Sequence, residues 1–238
     1  KGPIVVGKDT RKSGDMLEAA LISGIMSVGL DVISVGVVPT PAVAYLTRRY
    51  SALSGVVISA SHNPVEYNGI KFFNEDGFKL NDNIEEEIEE YILNPEAIKN
   101  RPIGGNIGRK IEVDDGGLEY IKYLKDTVSV DFSGLKIAVD CGNGAVYDIA
   151  PKLLKGLNAD VTVINNEPNG VNINVNCGST NPEMVKKLVL DTNADVGLSF
   201  DGDADRLIAV DELGNIVDGD HILAICGTNL EKKGKLKN

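Results

Sequence analysis

Short apolar runs, many of them rich in β-branched residues, alternate along the chain with longer segments of helical periodicity. Most of these runs give way to glycine, proline or small polar residues, which is typical of buried strands. The pattern predicts strands at residues 4–6, 31–38, 55–58, 69–73, 135–140, 161–164, 196–200 and 207–210. Between many of them apolar residues recur every three or four positions, as at Leu17, Leu21 and Ile25, and predict helices. Strands that alternate with helices predict an α/β fold with mixed, mostly parallel sheets.

Loop-forming residues divide this alternation into successive units. Residues 94–114 contain Gly104, Gly105 and Gly108 together with two prolines, and predict a loop region with at most a short strand. A second α/β unit then opens at residue 135, so we place a domain boundary near residues 129–133. The predicted division is a first domain at 1–130, a second at 131–211, and the start of a third at 212–238.

The most acidic segment of the chain lies at residues 83–93. Ile84, Ile88, Tyr91 and Ile92 alternate there with five glutamates at helical spacing. This spacing predicts an amphipathic helix whose apolar stripe packs in the core and whose acidic face is solvated. We interpret the segment as structural and not catalytic.

Composition narrows the function classes. The net charge of −11 argues against a nucleic-acid partner, because such surfaces are basic. No apolar run approaches the ~20 residues of a membrane span and no signal peptide opens the chain, so we expect no membrane partner and a cytoplasmic location. Cys141, Cys177 and Cys226 are scattered, which favours reduced thiols, and with only two histidines a zinc cluster is not expected.

The first candidate for chemistry is the SASHNP loop at residues 59–64, which follows the predicted strand at 55–58. Asn63 and Pro64 cannot continue a strand, so Ser61 and His62 fall on a tight loop at its carboxyl end. In open α/β sheets ligands bind at that end of the strands. The alternative is a strand-ending turn whose serines and asparagine satisfy only their own backbone.

The second candidate is a run of alternating carboxylates at Asp201, Asp203 and Asp205, directly after the predicted strand at 196–200. Like charges on one strand face repel, whereas convergent carboxylates suit a hard divalent cation. An EF-hand calcium loop shares this spacing and finds its glutamate at Glu212. That interpretation fails because Arg206 stands where the loop needs glycine and the flanking segments predict strands.

Together these loops resemble the phosphoserine and metal loops of the α-D-phosphohexomutases. The motifs are SASHNPVEYNGIKFF, DGDADR, GKDTRKSG, VPTPAVAYL, VDCGNGAVYDIAPK and EPNGVNINVNCGST. The first two are specific to the family, and all of them except DGDADR resemble the bacterial branch that acts on glucosamine phosphates. The resemblance covers the whole chain but only about half of such an enzyme. It implies that an early arginine loop, the sugar-recognition loop and a C-terminal phosphate-binding domain lie outside the chain.

The resemblance implies a three-layer α/β architecture for each domain and a role for each candidate residue. Ser61 would be phosphorylated and, with the three aspartates named above, would hold Mg²⁺. Lys71 would serve proton transfer or phosphate stabilisation, His62 would position the serine loop, and Arg206 would add positive charge. Arg11 would help to frame the site. The implied substrate is a hexosamine monophosphate, converted through its 1,6-bisphosphate.

Two other functions remain open from the sequence. A phosphomannomutase or phosphoglucomutase shares both loops. A non-catalytic module that binds a divalent metal ion would also explain the alternating aspartates, without a phosphoserine.

Overall fold

The computed structural model describes residues 2–94 and 101–237. The first five strands of the chain form one sheet. Its strands lie in the order β4-β3-β1-β2-β5, and only the β3–β4 pair is antiparallel. The strands are β1 (Ile4–Lys8), β2 (Val32–Val37), β3 (Ser54–Ile58), β4 (Ile70–Phe73) and β5 (Lys110–Glu112). The helices are α1 (Ser13–Ser27), α2 (Thr40–Arg49), α3 (Asp82–Leu93) and α4 (Gly116–Asp126).

Helices cover both faces of this sheet, because its central strands are apolar on both sides. In β1, Ile4 and Val6 pack toward α1, with Ile22 among their neighbours. Val5 points the other way and packs in a second core with α2 and α4, which includes Leu46. The result is the three-layer arrangement implied by the resemblance.

The second part of the chain repeats this plan with a sheet in the order β10-β9-β8-β6-β7. Its β6–β7 and β6–β8 pairs are parallel, and the two hairpins β8–β9 and β9–β10 are antiparallel. The strands are β6 (Lys136–Asp140), β7 (Asp160–Ile164), β8 (Val196–Phe200), β9 (Leu207–Asp211) and β10 (Ile216–Val217). The helices are α5 (Ile149–Lys155), α6 (Glu183–Thr192) and α7 (Gly219–Lys232).

Over both sheets five of the eight strand pairings in the described residues are parallel, which confirms the predicted fold class. Helix α5 packs on one face of the second sheet through Ala150 and Leu154, and α6 on the other through Val185 and Val189. Ile149 of α5 reaches instead into the core of the first sheet. The two sheets therefore share apolar contacts. The predicted domain boundaries stay predictions.

The prediction that the apolar stripe of residues 83–93 packs in the core is wrong. Helix α3 forms as expected, but none of its described residues is buried, and Ile84, Tyr91 and Ile92 are all exposed. Helical periodicity identifies the apolar face, but burial also requires a neighbouring element to cover it, and the described chain provides none for α3. The predicted loop at 94–114 contains β5 and a 3-10 turn at Gly104–Asn106, and part of it lies outside the described residues.

None of the described helices combines the length and the apolar character that a membrane crossing requires.

Candidate active site

The two predicted loops meet where the carboxyl ends of β3 and β8 face each other. The hydroxyl of Ser61 donates a hydrogen bond of 2.6 Å to Asp201 Oδ2, although the residues lie 140 positions apart. Both side chains are buried. The contact joins the SASHNP loop of the first sheet to the aspartate loop of the second.

The backbone of Ser61 is held in an uncommon conformation. Its φ of +53° lies in the left-handed region, which a non-glycine residue adopts only when its surroundings fix it. The N–H of Ser61 donates to Ser59 Oγ at 2.9 Å, and Ser59 Oγ donates to Asp9 Oδ2 at 2.6 Å. Ser59 therefore ties the loop to the segment that follows β1.

The carbonyl of Ser61 is held from both halves of the chain. Arg11 Nη2 donates to this oxygen at 3.1 Å and Asn174 Nδ2 donates to it at 2.9 Å. Arg11 also donates to the Asn63 carbonyl at 2.6 Å and pairs with Asp9, whose pKa is raised by burial against the lowering effect of the Arg11 charge. These contacts fix the direction in which the Ser61 hydroxyl leaves the loop.

The aspartate loop approaches the serine loop so closely that only glycine fits between them. A Cβ on Gly202 would lie 2.6 Å from the Ser61 carbonyl oxygen and 2.8 Å from Ile173. The Gly202 carbonyl in turn accepts the N–H of Ala145 at 2.8 Å, in the turn after β6. The position of the aspartate loop thus depends on backbone contacts with two other loops.

The three aspartates form a group that suits a hard cation. One carboxylate oxygen from each of Asp201, Asp203 and Asp205 lies within 4.8 Å of the others. Asp203 Oδ1 is buried and has no hydrogen-bond partner among the described residues. An unpaired buried carboxylate oxygen is costly unless a cation meets it, so these residues fit an oxygen-preferring divalent ion such as Mg²⁺.

Burial and neighbouring charges separate the pKa values of these acids. The pKa of Asp201 is raised to about 6, mainly by burial. The hydrogen bond from Ser61 acts to lower this pKa, and repulsion from Asp203 and Asp205 acts to raise it further. Burial also acts to raise the pKa of Asp203, but hydrogen bonds from Lys71 and Thr40 outweigh it and lower the pKa. Asp203 is therefore the acid whose charged form the protein supports most directly.

The two cationic residues predicted for the site, Lys71 and Arg206, both lie beside the aspartates, and Arg206 is the more exposed of the two. Lys71 Nζ contacts Asp203 Oδ2 at 2.8 Å and Asp205 Oδ2 at 3.3 Å. Burial acts to lower the pKa of Lys71, but the hydrogen bond and charge of Asp203 prevail and raise it. The Arg206 guanidinium is largely exposed, 3.8 Å from Asp205 Oδ1, while its backbone N–H donates to Asp201 Oδ1 at 3.1 Å.

His62 follows Ser61 directly and is half-buried. Its Nδ1 atom is buried without a hydrogen-bond partner in the described part of the chain. Ser61, Lys71 and the three aspartates are therefore brought together, Arg206 lies at the edge of the group, and His62 is adjacent without a bond to it. The role of each stays a proposal.

Two polar residues of the site were not predicted from the sequence. Thr40 Oγ1 donates to Asp203 Oδ2 at 2.6 Å, and Asn174 holds Ser61 as described above. Thr40 lies in the VPTP motif and Asn174 in the asparagine-rich loop before α6. Both motifs were visible, but neither carries a spacing that indicates contact with a loop more than 100 positions away.

A cavity of about 630 Å³ lies elsewhere, between β2, α4 and α5. Its three lysines are each paired with a carboxylate: Lys8 with Glu18, Lys110 with Glu112 and Lys152 with Asp148. Among the described residues this cavity offers no free lysine to a phosphorylated ligand, so the loop junction remains the better site.

Sequence comparison finds long, similar relatives. The chain is 61% identical over 230 residues to the phosphoglucosamine mutase of Alkaliphilus metalliredigens, covering 97% of this chain and 51% of that protein. It is 61% identical over 233 residues to the phosphoglucosamine mutase of Clostridioides difficile, covering 98% of this chain and 52% of that protein. The chain spans about half the length of the curated relatives it matches.

Solved structures share the fold. A phosphoglucomutase/phosphomannomutase family protein from Burkholderia thailandensis superposes with a TM-score of 0.83 at 27% identity, covering 98% of this chain and 51% of that one. A putative phosphomannomutase from Thermus thermophilus superposes with a TM-score of 0.77 at 27% identity, covering 98% of this chain and 54% of that one.

Two family models cover most of the chain. Residues 1–99 match the alpha/beta/alpha domain I of phosphoglucomutase/phosphomannomutase, and residues 118–214 match its alpha/beta/alpha domain II. The two matched domains meet at the contact between Ser61 and Asp201. The chain belongs to the phosphoglucomutase/phosphomannomutase family.

Proposed function

We propose that the full-length protein interconverts glucosamine 6-phosphate and glucosamine 1-phosphate in the cytoplasm, with Ser61 as the phosphorylated group. The observation that carries the proposal is the 2.6 Å contact of Ser61 Oγ with Asp201, beside two further carboxylates and Lys71. A serine held in this way presents one oxygen to a cluster suited to a cation. The 61% identity to phosphoglucosamine mutases supports the choice of sugar.

The proposed reaction consists of two transfers at Ser61. In the first, the bond between phosphorus and Ser61 Oγ breaks as phosphorus bonds to the free hydroxyl oxygen of the glucosamine phosphate. The electron pair of the broken bond stays on Ser61 Oγ, which takes up the proton that the sugar hydroxyl loses. The resulting 1,6-bisphosphate turns around, and its other phosphate returns to Ser61 in the reverse exchange.

Charge balance determines what the surrounding residues must do. A phosphoserine carries about −1.5 to −2 charges, so together with three carboxylates the cluster approaches roughly −5. A bound Mg²⁺ would supply Lewis acidity and two positive charges there. Asp201, Asp203 and Asp205, together with an oxygen of the phosphorylated Ser61, would hold it.

The cationic side chains complete this balance. Lys71 pairs with two carboxylates through its ammonium group, which favours phosphate stabilisation over proton transfer. Arg206 adds a positive charge at the edge of the cluster. His62, next to Ser61, is the candidate for positioning the serine loop. Fixed charges that need no rearrangement during transfer are the main source of catalysis in phosphoryl transfer.

The residues of the site do not select the sugar, since both candidate loops would contact phosphate and metal. The similarity to the putative phosphomannomutase from Thermus thermophilus favours a second candidate, in which mannose or glucose phosphates are the substrates. Turnover of glucosamine, mannose and glucose 6-phosphates by the full-length protein separates the candidates. Faster turnover of mannose 6-phosphate would overturn the glucosamine assignment.

The role of Ser61 is tested by intact-mass measurement and turnover on the same preparations. We expect the mass of one phosphoryl group on the wild type and its loss, with loss of turnover, in Ser61→Ala. Ser27→Ala is the matched control, because Ser27 is half-buried at the end of α1 and its hydroxyl bonds only with the Gly24 carbonyl and Arg101, neither of which belongs to the site. Wild-type turnover by a folded Ser61→Ala protein would refute the proposal.

A further inference from the structure

Thr40 connects the first sheet to the aspartate loop of the second by two hydrogen bonds. It is the first residue of α2 and is buried. Its hydroxyl donates to Asp203 Oδ2 at 2.6 Å, and its backbone N–H donates to the Asp203 carbonyl at 2.9 Å. The second bond fixes the distance between the two backbones, so the hydroxyl reaches Oδ2 from a set position.

The two oxygens of Asp203 consequently differ. Oδ2 accepts from Thr40 and from Lys71 Nζ at 2.8 Å. Oδ1 is buried and accepts from no group in the described residues. Protein donors therefore occupy Oδ2, and Oδ1 remains available to bind a cation.

We infer that Thr40 is a positioning residue for the metal site, which fixes the Asp203 carboxylate so that Oδ1 remains available to the cation. The inference rests on the metal site of the proposed function and names a residue outside the set of ligands. Groups that orient metal ligands through hydrogen bonds typically change metal affinity 10–100-fold when they are removed.

Lys71 cannot take over this task. Its side chain is about one-third exposed and its ammonium divides its contacts between Asp203 and Asp205. A flexible ammonium follows the carboxylate when it rotates, whereas the short threonine side chain at the start of a helix does not. Without the hydroxyl, Asp203 can turn Oδ2 toward the cation or toward Lys71 alone.

The test is a calorimetric Mg²⁺ titration of the full-length protein, with the phosphorylation state of every sample matched by intact mass. Thr40→Val keeps the side-chain volume and removes the hydroxyl, and we expect its Kd for Mg²⁺ to rise about tenfold. Thr40→Ser retains the hydroxyl and should stay within about threefold of the wild type.

Thr47→Val is the matched control. Thr47 lies in the same helix, is also buried, and its hydroxyl donates to the Val43 carbonyl at 2.8 Å and to no group of the aspartate loop. The chemical change is identical, so this variant should bind Mg²⁺ like the wild type even if its thermal stability falls.

A second measurement separates positioning from general stability. A purely structural loss in Thr40→Val lowers the melting temperature equally with and without Mg²⁺, whereas a positioning role shrinks the rise in melting temperature that Mg²⁺ produces. Thr40→Ala provides the same comparison if the valine variant does not fold.

The outcomes distinguish this inference from the proposed function. Equal Mg²⁺ affinity in wild type and Thr40→Val, or failure of Thr40→Ser to restore it, overturns the role of Thr40 and leaves the metal site intact. Absence of Mg²⁺ binding in the wild type overturns the metal site and this inference together.

Discussion

Ser61 in the serine loop and Asp201 and Asp203 in the aspartate loop are buried, but the polar groups of the two loops are satisfied in different ways. Around Ser61 the N–H, the carbonyl and the hydroxyl all have protein partners. In the aspartate loop, Asp203 Oδ1 has none in the described residues, and three carboxylates lie within 4.8 Å of one another. The backbone and hydroxyl of Ser61 are thus held by protein groups, whereas the aspartate loop needs added positive charge to complete it.

This difference indicates that the two loops have different roles. Protein hydrogen bonds set the direction of the Ser61 hydroxyl, the group proposed to carry the phosphate, and those bonds do not depend on a ligand. The aspartate loop stores like-charge repulsion that a cation relieves, so its affinity for that cation depends on every charge nearby. Changes to the hydrogen bonds that hold the serine loop should therefore alter turnover, whereas changes to the charges around the aspartate loop, including a phosphoryl group on Ser61, should alter metal affinity.

The largest expected effect is that of Asp203→Asn on Mg²⁺ binding. The substitution removes one carboxylate charge and leaves Lys71 facing a neutral amide, and we expect affinity to fall about 100-fold, or about 2.7 kcal/mol. Calorimetric titration measures it, with Asp191→Asn on the exposed part of α6 as the control. Unchanged affinity in Asp203→Asn would show that the cation binds elsewhere.

Gly202→Ala tests the distance between the two loops. Its added Cβ would lie 2.6 Å from the Ser61 carbonyl, so the loops must separate, at a cost of about 2 kcal/mol in the free energy of unfolding. Gly24→Ala in α1 is the control, because its Cβ meets nothing within 4 Å and a helix interior favours alanine. Urea unfolding of both variants makes the comparison, and equal stability would contradict the close approach.

Removal of the phosphoryl group from Ser61 tests whether both loops hold one cation. A phosphate oxygen on Ser61 would add a ligand and negative charge, and after its removal water would replace part of what is lost. We therefore expect about tenfold weaker Mg²⁺ binding in phosphatase-treated protein, or about 1.4 kcal/mol. Titration of both forms measures the difference. Equal affinities would mean that the serine and the aspartates do not share a metal ion.

Asn174→Asp should give the smallest effect, measured on turnover. The new carboxylate oxygen replaces the N–H₂ donor that holds the Ser61 carbonyl, which loses one hydrogen bond, and we expect kcat to fall about fivefold, or about 1 kcal/mol.

Asn176→Asp is the control for this prediction. Asn176 lies in the same loop and also has a left-handed backbone, with φ of +52°, but it is exposed and makes no side-chain hydrogen bond to the serine loop. Steady-state kinetics of Asn174→Asp and Asn176→Asp compare the loss of kcat in the two variants. If both variants lose turnover equally, the loss comes from added negative charge and not from the Asn174 contact.

The sequence predicted the strand ends and the candidate cation site, because each depends on only a few neighbouring residues. The strand before Ser61 and the strand before Asp201 are apolar and β-branched or alternating, and the residues that follow each of them cannot extend a strand. The spacing of Asp201, Asp203 and Asp205 likewise predicted a cation site, and the structure brings their oxygens together. Family resemblance then paired the two loops, which spacing alone did not.

Tertiary structure decided what depends on partners distant in the sequence. Whether the apolar stripe of α3 is buried depends on which element lies against it, so the same periodicity describes a buried helix and this exposed one. Thr40 and Asn174 reach Asp203 and Ser61 across 163 and 113 positions, because the order of strands and the packing of the two sheets set those distances. Residue type indicates which hydrogen bonds a side chain is able to make, and only the fold determines which partner lies within reach.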